Sequence, residues 1–530
     1  MTSSGPHIVV VSLPLWGHTR PLCVFIAKLQ KESGCLVTFL VSELLYNKVQ
    51  AEIARQYNTK DKQEQEQLKR IRIISILDSK RDNSDLPKVI AAYAEVYVEP
   101  YSRLVNGESL ACTTGATYPP APFPSAVILD FLAPAQLQGT RQVTDSRVPI
   151  FAWVTGSAPV IIRYYCPENV GGLGDVVGRA QKNFEAAGEG AVLERFIEAE
   201  YGRFSGEIIH IPGMPPMYDY ECFPQELPFS EPLFNTMEGK LFQTLNDSDG
   251  TIINTSEAYE SVFIETLRSW LSGMNRSLYS VGPTVPADFQ TGELSSQEAT
   301  KAVQNVDTKS PDQVEIENFL NDALEKKGKG SVFFISFGST YWPPDASYVE
   351  EIVNVLLEQD IPFIFAYGSP AAQLPENVKT SSKGLLAKWV PQQYILNHPA
   401  LGWFLTHCGQ GSTTEALASG VPMICYPFTS DQPFNAAYLS LTLDVAFELT
   451  QVRTGALGMK PMLRGVTPKG MREAVREEML SVITDARGAV GARKRANAGR
   501  IAHMLKKAWR EDGQAVQDLQ QFAKTYCGGL

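Results

Sequence analysis

The sequence predicts an α/β protein of two Rossmann-like domains, each carrying a parallel, doubly wound sheet, that face one another across a cleft. Three observations predict it. The chain opens on a strand–turn–helix–strand unit. The same alternation restarts beyond a polar stretch in the middle. And 530 residues are too many for one ordinary core.

The first strand is HIVVVSLP, a β-branched run closed by Pro14. The turn LWGH follows. Next comes a helix in which Leu22, Phe25, Ile26 and Leu29 recur at i, i+3, i+4 and i+7, with Gly34 as its stop. CLVTFLVS is a second buried strand, and the opening β–turn–α–β unit points to a parallel, doubly wound sheet. KDKQEQEQLKR is a solvated helix or loop. SAVILDF ends a strand at Asp130, and VPIFAWVT, DGTIINTS and SLYSVGP complete the first half. From 286 to about 328 the composition turns polar and nearly free of aromatics, as in a linker or surface excursion.

The second half repeats the alternation. GSVFFISFGS is a strand and loop, SYVEEIVNVLLEQD an amphipathic helix and IPFIFAYG a strand. LLAKWVPQ, ALGWFLTHCG and VPMICYPF are further strands running into loops, and the stretch from about 467 to 526 is helical and charged. The expected divisions are 1–285, 286–328, 329–500 and a helical tail at 501–530.

Apolar content of 44% and charge of 20% are those of a globular protein. A net charge of -11 disfavours nucleic acid as a partner and supplies no polybasic membrane patch. No basic region precedes the first apolar run, and no apolar stretch is long enough for a span, so a cytoplasmic protein is expected. Eight dispersed cysteines without a CxxC read as reduced thiols. Nothing in the sequence fixes an oligomeric state.

A nicotinamide or flavin site would need GxGxxG after the first strand, whereas LPLWGHTRP has one glycine. The glycine-rich turn stands instead in the second half, at Gly409 and Gly411, opening the helix STTEALASG. Small residues and a helix N-terminus suit a phosphate. Ser412 with Glu415 three residues on also fits a capping box. An anion site and a structural turn therefore both stay open on spacing alone. His407 and Cys408 make a poor metal pair, because neither CxxC nor HxxxH spacing joins them to another ligand. No base other than His407 marks Cys408 as a nucleophile, and no metal is expected.

The run from Trp389 to Gln432, WVPQQYILNHPALGWFLTHCGQGSTTEALASGVPMICYPFTSDQ, resembles the signature box of the UDP-glycosyltransferases. These are family 1 glycosyltransferases of the GT-B fold, here of the soluble plant, fungal or bacterial type. The plant box reads W-x-P-Q, L-x-H, G-x-F-x-T-H-C-G-W-N-S, E, G-V-P, P and D/E-Q. The present run keeps that spacing, with Gln410 in place of Trp and Gly411 in place of Asn. LPLWGHTRP, VILDF, IPGMPP, IINTSEAYE, YSVGP and SVFFISFGS resemble further landmarks, so the resemblance spans nearly the whole chain. It is thinnest at 50–120 and 170–210.

The resemblance implies an inverting hexosyltransferase that moves a sugar, glucose foremost, from a UDP-sugar co-substrate to a hydroxylated small molecule, with no cofactor. It implies that the first domain binds the acceptor, the second binds the UDP-sugar, and the tail packs back on the first. Trp389 would stack on uracil, with the backbone of Val390 and the side chain of Gln392 nearby. Glu415 would take the ribose hydroxyls. His407, Ser412, Ser339 and the turn Gly409, Gln410, Gly411 would meet the diphosphate. Glycine at 411 cannot supply the Asn contact, so backbone N–H groups or water must serve there. Asp431 and Gln432 would hold the sugar, and Thr155 would reach sugar or phosphate from the first domain.

His18 is implied as the general base, with Asp130 holding its other ring nitrogen. From the residues alone, the favoured account is that His18 satisfies its loop and Asp130 caps the next segment. Leu15, Trp16, Phe131, Trp153, Tyr164, Tyr165 and the 214–234 segment are expected to line an apolar acceptor pocket. The rival readings are a sterol or lipid glucosyltransferase, a sugar-nucleotide epimerase or hydrolase, and a non-catalytic sugar-nucleotide binding protein.

Overall fold

The computed structural model describes residues 5–58, 60–78, 86–188, 190–226, 241–285, 311–381 and 383–528. Of the expected linker, 286–310 lies outside the described residues, as does 227–234 of the expected acceptor segment. The chain divides into two compact units, 1–155 with 236–287 and 508–530, and 156–235 with 288–507. The segment 156–235, expected in the first half, therefore belongs to the second unit.

In the first unit seven strands form one sheet: β1 (His7–Val11), β2 (Leu36–Ser42), β3 (Ile71–Leu77), β4 (Ala126–Asp130), β5 (Ile150–Val154), β6 (Gly250–Ile253) and β7 (Ser277–Ser280). Their order is β7-β6-β5-β4-β1-β2-β3, all parallel. Residues of β1 alternate between two cores, because successive side chains leave opposite faces of a strand. Ile8 and Val10 join Phe25 and Ile26 on one face, and Val9 and Val11 join Tyr93 and Tyr97 on the other.

Helix α1 (Trp16–Ser33) covers the first face and ends at Gly34, where φ of 63° suits the residue without a Cβ. It begins earlier than its apolar spacing suggests, so His18 lies in its first turn. A helix over Gln514–Tyr526 completes the same face. Phe522 meets Phe151 at 5.0 Å and Tyr279 at 5.3 Å between ring centroids. The opposite face is covered by Leu86–Val105, a helix that contains Pro100 and that the sequence reading did not anticipate.

The second unit repeats the plan. Its strands are β8 (Val332–Ser336), β9 (Phe363–Ala366), β10 (Gly384–Ala387), β11 (Leu401–Thr406), β12 (Met423–Cys425) and β13 (Ala446–Glu448). The order is β10-β9-β8-β11-β12-β13, again parallel. Helix α2 (Ala346–Glu358) buries Val349, Ile352, Val353 and Leu356 against this sheet. The expected linker does not extend to 328, because Pro311–Lys327 is a helix with Ile316 and Leu320 fully buried. Likewise the helix Ala489–Ala508 runs through the boundary placed at 500.

Among the described residues no helix is long and apolar enough to cross a membrane.

Candidate active site

In an open parallel sheet the crevice for ligands opens where the strand order reverses, beyond the carboxyl ends of the strands. The first unit reverses between β1 and β4. His18 follows β1 and Asp130 is the last residue of β4, so topology alone brings them together. His18 Nδ1 lies 3.0 Å from Asp130 Oδ2 and 3.2 Å from Oδ1. The carboxylate is fully buried, while 23% of the His18 side chain stays exposed.

Several contacts fix this pair. Leu132 N–H donates to Asp130 Oδ1 at 3.0 Å. The indole N–H of Trp153 donates to the His18 carbonyl at 3.2 Å. Phe131 stacks nearly parallel to the His18 ring, 6.0 Å between centroids. The Thr19 hydroxyl lies 2.7 Å from the Ser12 hydroxyl and within donating reach of the Leu15 carbonyl at 2.9 Å and the Leu13 carbonyl at 3.1 Å, which pins the first turn of α1.

The second unit reverses between β8 and β11. Here His407 follows β11, and the glycines Gly338 and Gly409 close around its ring. A Cβ at Gly338 would sit 2.8 Å from His407 Nε2, and one at Gly409 only 2.6 Å away. His407 is partly exposed, yet enough protein crowds the ring that burial lowers its pKa to about 4. That outweighs its hydrogen bond to the Ser336 carbonyl, which acts the other way. The imidazole is therefore neutral at pH 7. The neighbouring Cys408 adopts the left-handed conformation at φ 65°. It is fully buried, and burial pushes its thiol well up. A thiol held protonated is no nucleophile.

Helix α4 (Gln410–Ser419) begins behind this turn, with α3 (Gln392–Asn397) before it and α5 (Gln432–Ala437) after it. Its N-cap is Gly409, not Ser412. The expected capping box is thus corrected: Ser412 and Glu415 are both inside the helix, and the cap comes from a distant residue. Asp431 Oδ2 accepts the Gln410 N–H at 2.7 Å. Asn435 Nδ2 braces the same turn, donating to Cys408 O at 2.9 Å, Asp431 Oδ2 at 3.2 Å and Gln410 Oε1 at 3.3 Å. The first intrahelical bond, Thr413 N–H to Gly409 O, leaves the N–H groups of Gly411 and Ser412 without a helical acceptor. These are the donors such a helix offers an anion.

Glu415 points from α4 toward α3. Its Oε2 accepts from Gln392 Nε2 at 2.8 Å and its Oε1 from Gln393 Nε2 at 2.9 Å. Trp389 is not core, since 56% of it is exposed. Val390 O accepts the Gln392 N–H at 2.9 Å. Ser339 and Gly411 are exposed. Gln432 is buried, its Oε1 fixed by the N–H of Phe428 at 2.9 Å and of Thr429 at 3.4 Å. Thr155 follows β5 in the first unit and is nearly buried.

The expected acceptor lining needs two corrections. Trp153 is fully buried between two covered faces and stacks on Phe25 at 5.4 Å, so it supports His18 from within the core. Tyr164 and Tyr165, on the helix Ala158–Tyr165, belong to the second unit, where Tyr164 meets Phe434 edge-on at 6.5 Å. Leu15 and Trp16 remain partly exposed beside His18, and Phe131 is just buried. Sequence reasoning missed Gln393, Asn435 and the role of Gly338. Only Gly338 carried a signal, a glycine just past a strand end. Among the described residues no cluster of His, Cys, Asp and Glu could hold a metal ion.

Known proteins resemble this chain in sequence and in fold. Residues 294–455 match the family model "UDP-glucoronosyl and UDP-glucosyl transferase". UDP-glycosyltransferase eriJ of Hericium erinaceus is 28% identical, over 97% of this chain and 97% of that protein. UDP-glycosyltransferase 84B2 of Arabidopsis thaliana is 26% identical, over 60% of this chain and 65% of its own length. The structure of Phytolacca americana UGT2 with UDP-2fluoro-glucose and pterostilbene superposes with a TM-score of 0.64 at 19% identity, covering 98% of this chain and 99% of that one.

Proposed function

The chain belongs to the UDP-glycosyltransferase family, and from that premise we propose an inverting O-glycosyltransferase that moves a hexose, glucose foremost, from a UDP-sugar to a hydroxyl of a lipophilic or aromatic small molecule. The observation that carries this reading is the His18–Asp130 pair. A binding protein has no need of an imidazole held by a buried carboxylate, whereas a base that takes a hydroxyl proton near neutral pH does.

Nδ1 of His18 is committed to Asp130, so Nε2 is the nitrogen assigned to the acceptor. The acceptor O–H proton passes to Nε2 and the oxygen attacks the anomeric carbon on the face opposite UDP. The bond from that carbon to the phosphate oxygen breaks, and the configuration inverts. Charge then develops on the departing diphosphate. The Gly411 and Ser412 N–H groups, at the N-terminus of α4, are assigned to that charge. Asp130 stabilises the imidazolium that results.

The donor is assigned to the second unit and the acceptor to the first. Trp389, more than half exposed, is assigned as a stacking platform for uracil, and Glu415 as an acceptor for the ribose hydroxyls. Gln410 and Gly409 shape the phosphate turn, Ser339 lies at its rim, and Asp431, Gln432 and Thr155 are assigned to the sugar. The relative that holds UDP-2fluoro-glucose with pterostilbene supports glucose and a small organic acceptor. Eight buried cysteines, all free, support a reducing, cytoplasmic setting.

The test is UDP release by the purified chain from several UDP-sugars, with and without phenolic and aliphatic alcohols, with products weighed by mass spectrometry. Release that needs an alcohol, with a product one hexose heavier, is expected. Release without acceptor would mark a hydrolase, and none at all a binding protein. His18→Ala is expected to lose about 10²–10⁴-fold in transfer while keeping UDP binding. Near-wild-type turnover by that variant removes His18 as the base.

A further inference from the structure

Glu415 is gripped on both oxygens. Gln392 and Gln393 are consecutive residues in the first turn of α3, and each sends its amide to a different oxygen of the same carboxylate, at 2.8 and 2.9 Å. They differ in setting. Gln392 is partly exposed, whereas Gln393 is buried, only 6% accessible. The Gln393 backbone is held as well, its carbonyl accepting from Asn397 Nδ2 at 2.9 Å. A buried amide cannot trade its partner for water, so its hydrogen bond is costly to leave unmade.

We infer that Gln393 is a positioning residue for the nucleotide: it locks the plane of the Glu415 carboxylate so that the acid meets the ribose hydroxyls already oriented. This rests on the assignment of Glu415 to the ribose. A Glu side chain loses much rotamer freedom when it is ordered, and a clamp that orders it beforehand removes that cost from binding. Two donors on separate oxygens define the carboxylate plane, while a carboxylate has about four acceptor directions in all, so the grip does not by itself exhaust it. Gln393 touches no substrate in this account. Its effect passes through Glu415 and is confined to recognition of the ribose.

The test compares binding of UDP and of 2′-deoxy-UDP to the full chain by calorimetry. Gln393→Met keeps the length and volume but deletes the amide. It is expected to weaken UDP about tenfold and 2′-deoxy-UDP much less, so that the preference between them shrinks. Donor KM should rise while kcat at saturating donor stays within about twofold. Gln393→Glu, which sets a like charge against Glu415, should weaken UDP further and serves if the first variant folds poorly.

A structural role alone would weaken both nucleotides together. An unchanged preference in Gln393→Met, alongside a collapsed preference in Glu415→Ala, would overturn the inference and leave the ribose assignment standing. An unchanged preference in Glu415→Ala would overturn the ribose assignment itself.

Discussion

The two units share one topology and use it for opposite electrostatics. Each sheet reverses between its first and fourth strands, and each places a histidine there. In the first unit the histidine comes from the loop after the first strand and finds a buried carboxylate at the end of the fourth. In the second, the histidine comes after the fourth strand and finds a glycine beyond the first. The first arrangement sets a buried carboxylate against the ring nitrogen and so suits proton transfer. The second crowds the ring and keeps it neutral, beside the helix N-terminus proposed for the diphosphate. A shared fold thus fixes where chemistry happens, and single residues at two strand ends fix which chemistry it is.

Three changes would break or sharpen this contrast. The largest effect is expected from Asp130→Asn, which keeps the shape but removes the charge: transfer should drop about 10²–10⁴-fold while UDP affinity holds. Steady-state rates beside UDP titrations check it. If UDP affinity fell in step with rate, the division of labour between the units would be wrong.

Next comes the glycine cradle. Gly409 has an ordinary φ of -59°, so Gly409→Ala is free of backbone strain and acts only through the Cβ driven against His407. UDP binding should weaken about tenfold with thermal stability nearly unchanged. Gly338 lies at φ 76°, so Gly338→Ala should also cost about 1–2 kcal/mol in stability, read from denaturant unfolding.

The smallest effect concerns pH. His7, at the start of β1, is also lowered to about 4, mainly by burial, with its ring bonded to Pro122 O and Thr38 Oγ1 at 2.8 Å each. For both His7 and His407 the folded pKa lies below the unfolded value of 6.5, so the unfolded chain binds more protons between them. Their contribution is complete above about pH 6.5 and is lost as pH falls toward 4. Urea unfolding across that window should show a stability that declines with acid. Saturating UDP should flatten the His407 part, because a diphosphate favours the charged ring, and leave the His7 part as it was.

The sheets were legible because parallel strands buried on both faces leave unbroken apolar runs such as HIVVV. The same property hid which way Trp153 points, since a strand covered on both sides offers no wet face to betray orientation. The helix Leu86–Val105 escaped because Pro100 interrupts its pattern. The cap of α4 was misread because the local Ser412–Glu415 spacing is real, but Asp431, remote in sequence, reaches the helix end. His18 and Asp130 were legible as strand-end residues, and their meeting follows from strand order, which no local window contains. Gln393 was invisible for the same kind of reason: its partner depends on how α3 lies beside α4.

The segment from Trp509 to Cys527, with the helix Gln514–Tyr526 at its centre, closes a core that is otherwise made of residues from the first 281 positions. During synthesis Phe25, Phe151 and Tyr279 leave the ribosome early and stay uncovered until all of 288–507 has been translated. The unit begun first is finished last. A nascent chain of this protein therefore carries an open apolar groove throughout translation of 288–507, and its yield in a cell should respond to chaperone supply and to the pace of translation through that stretch.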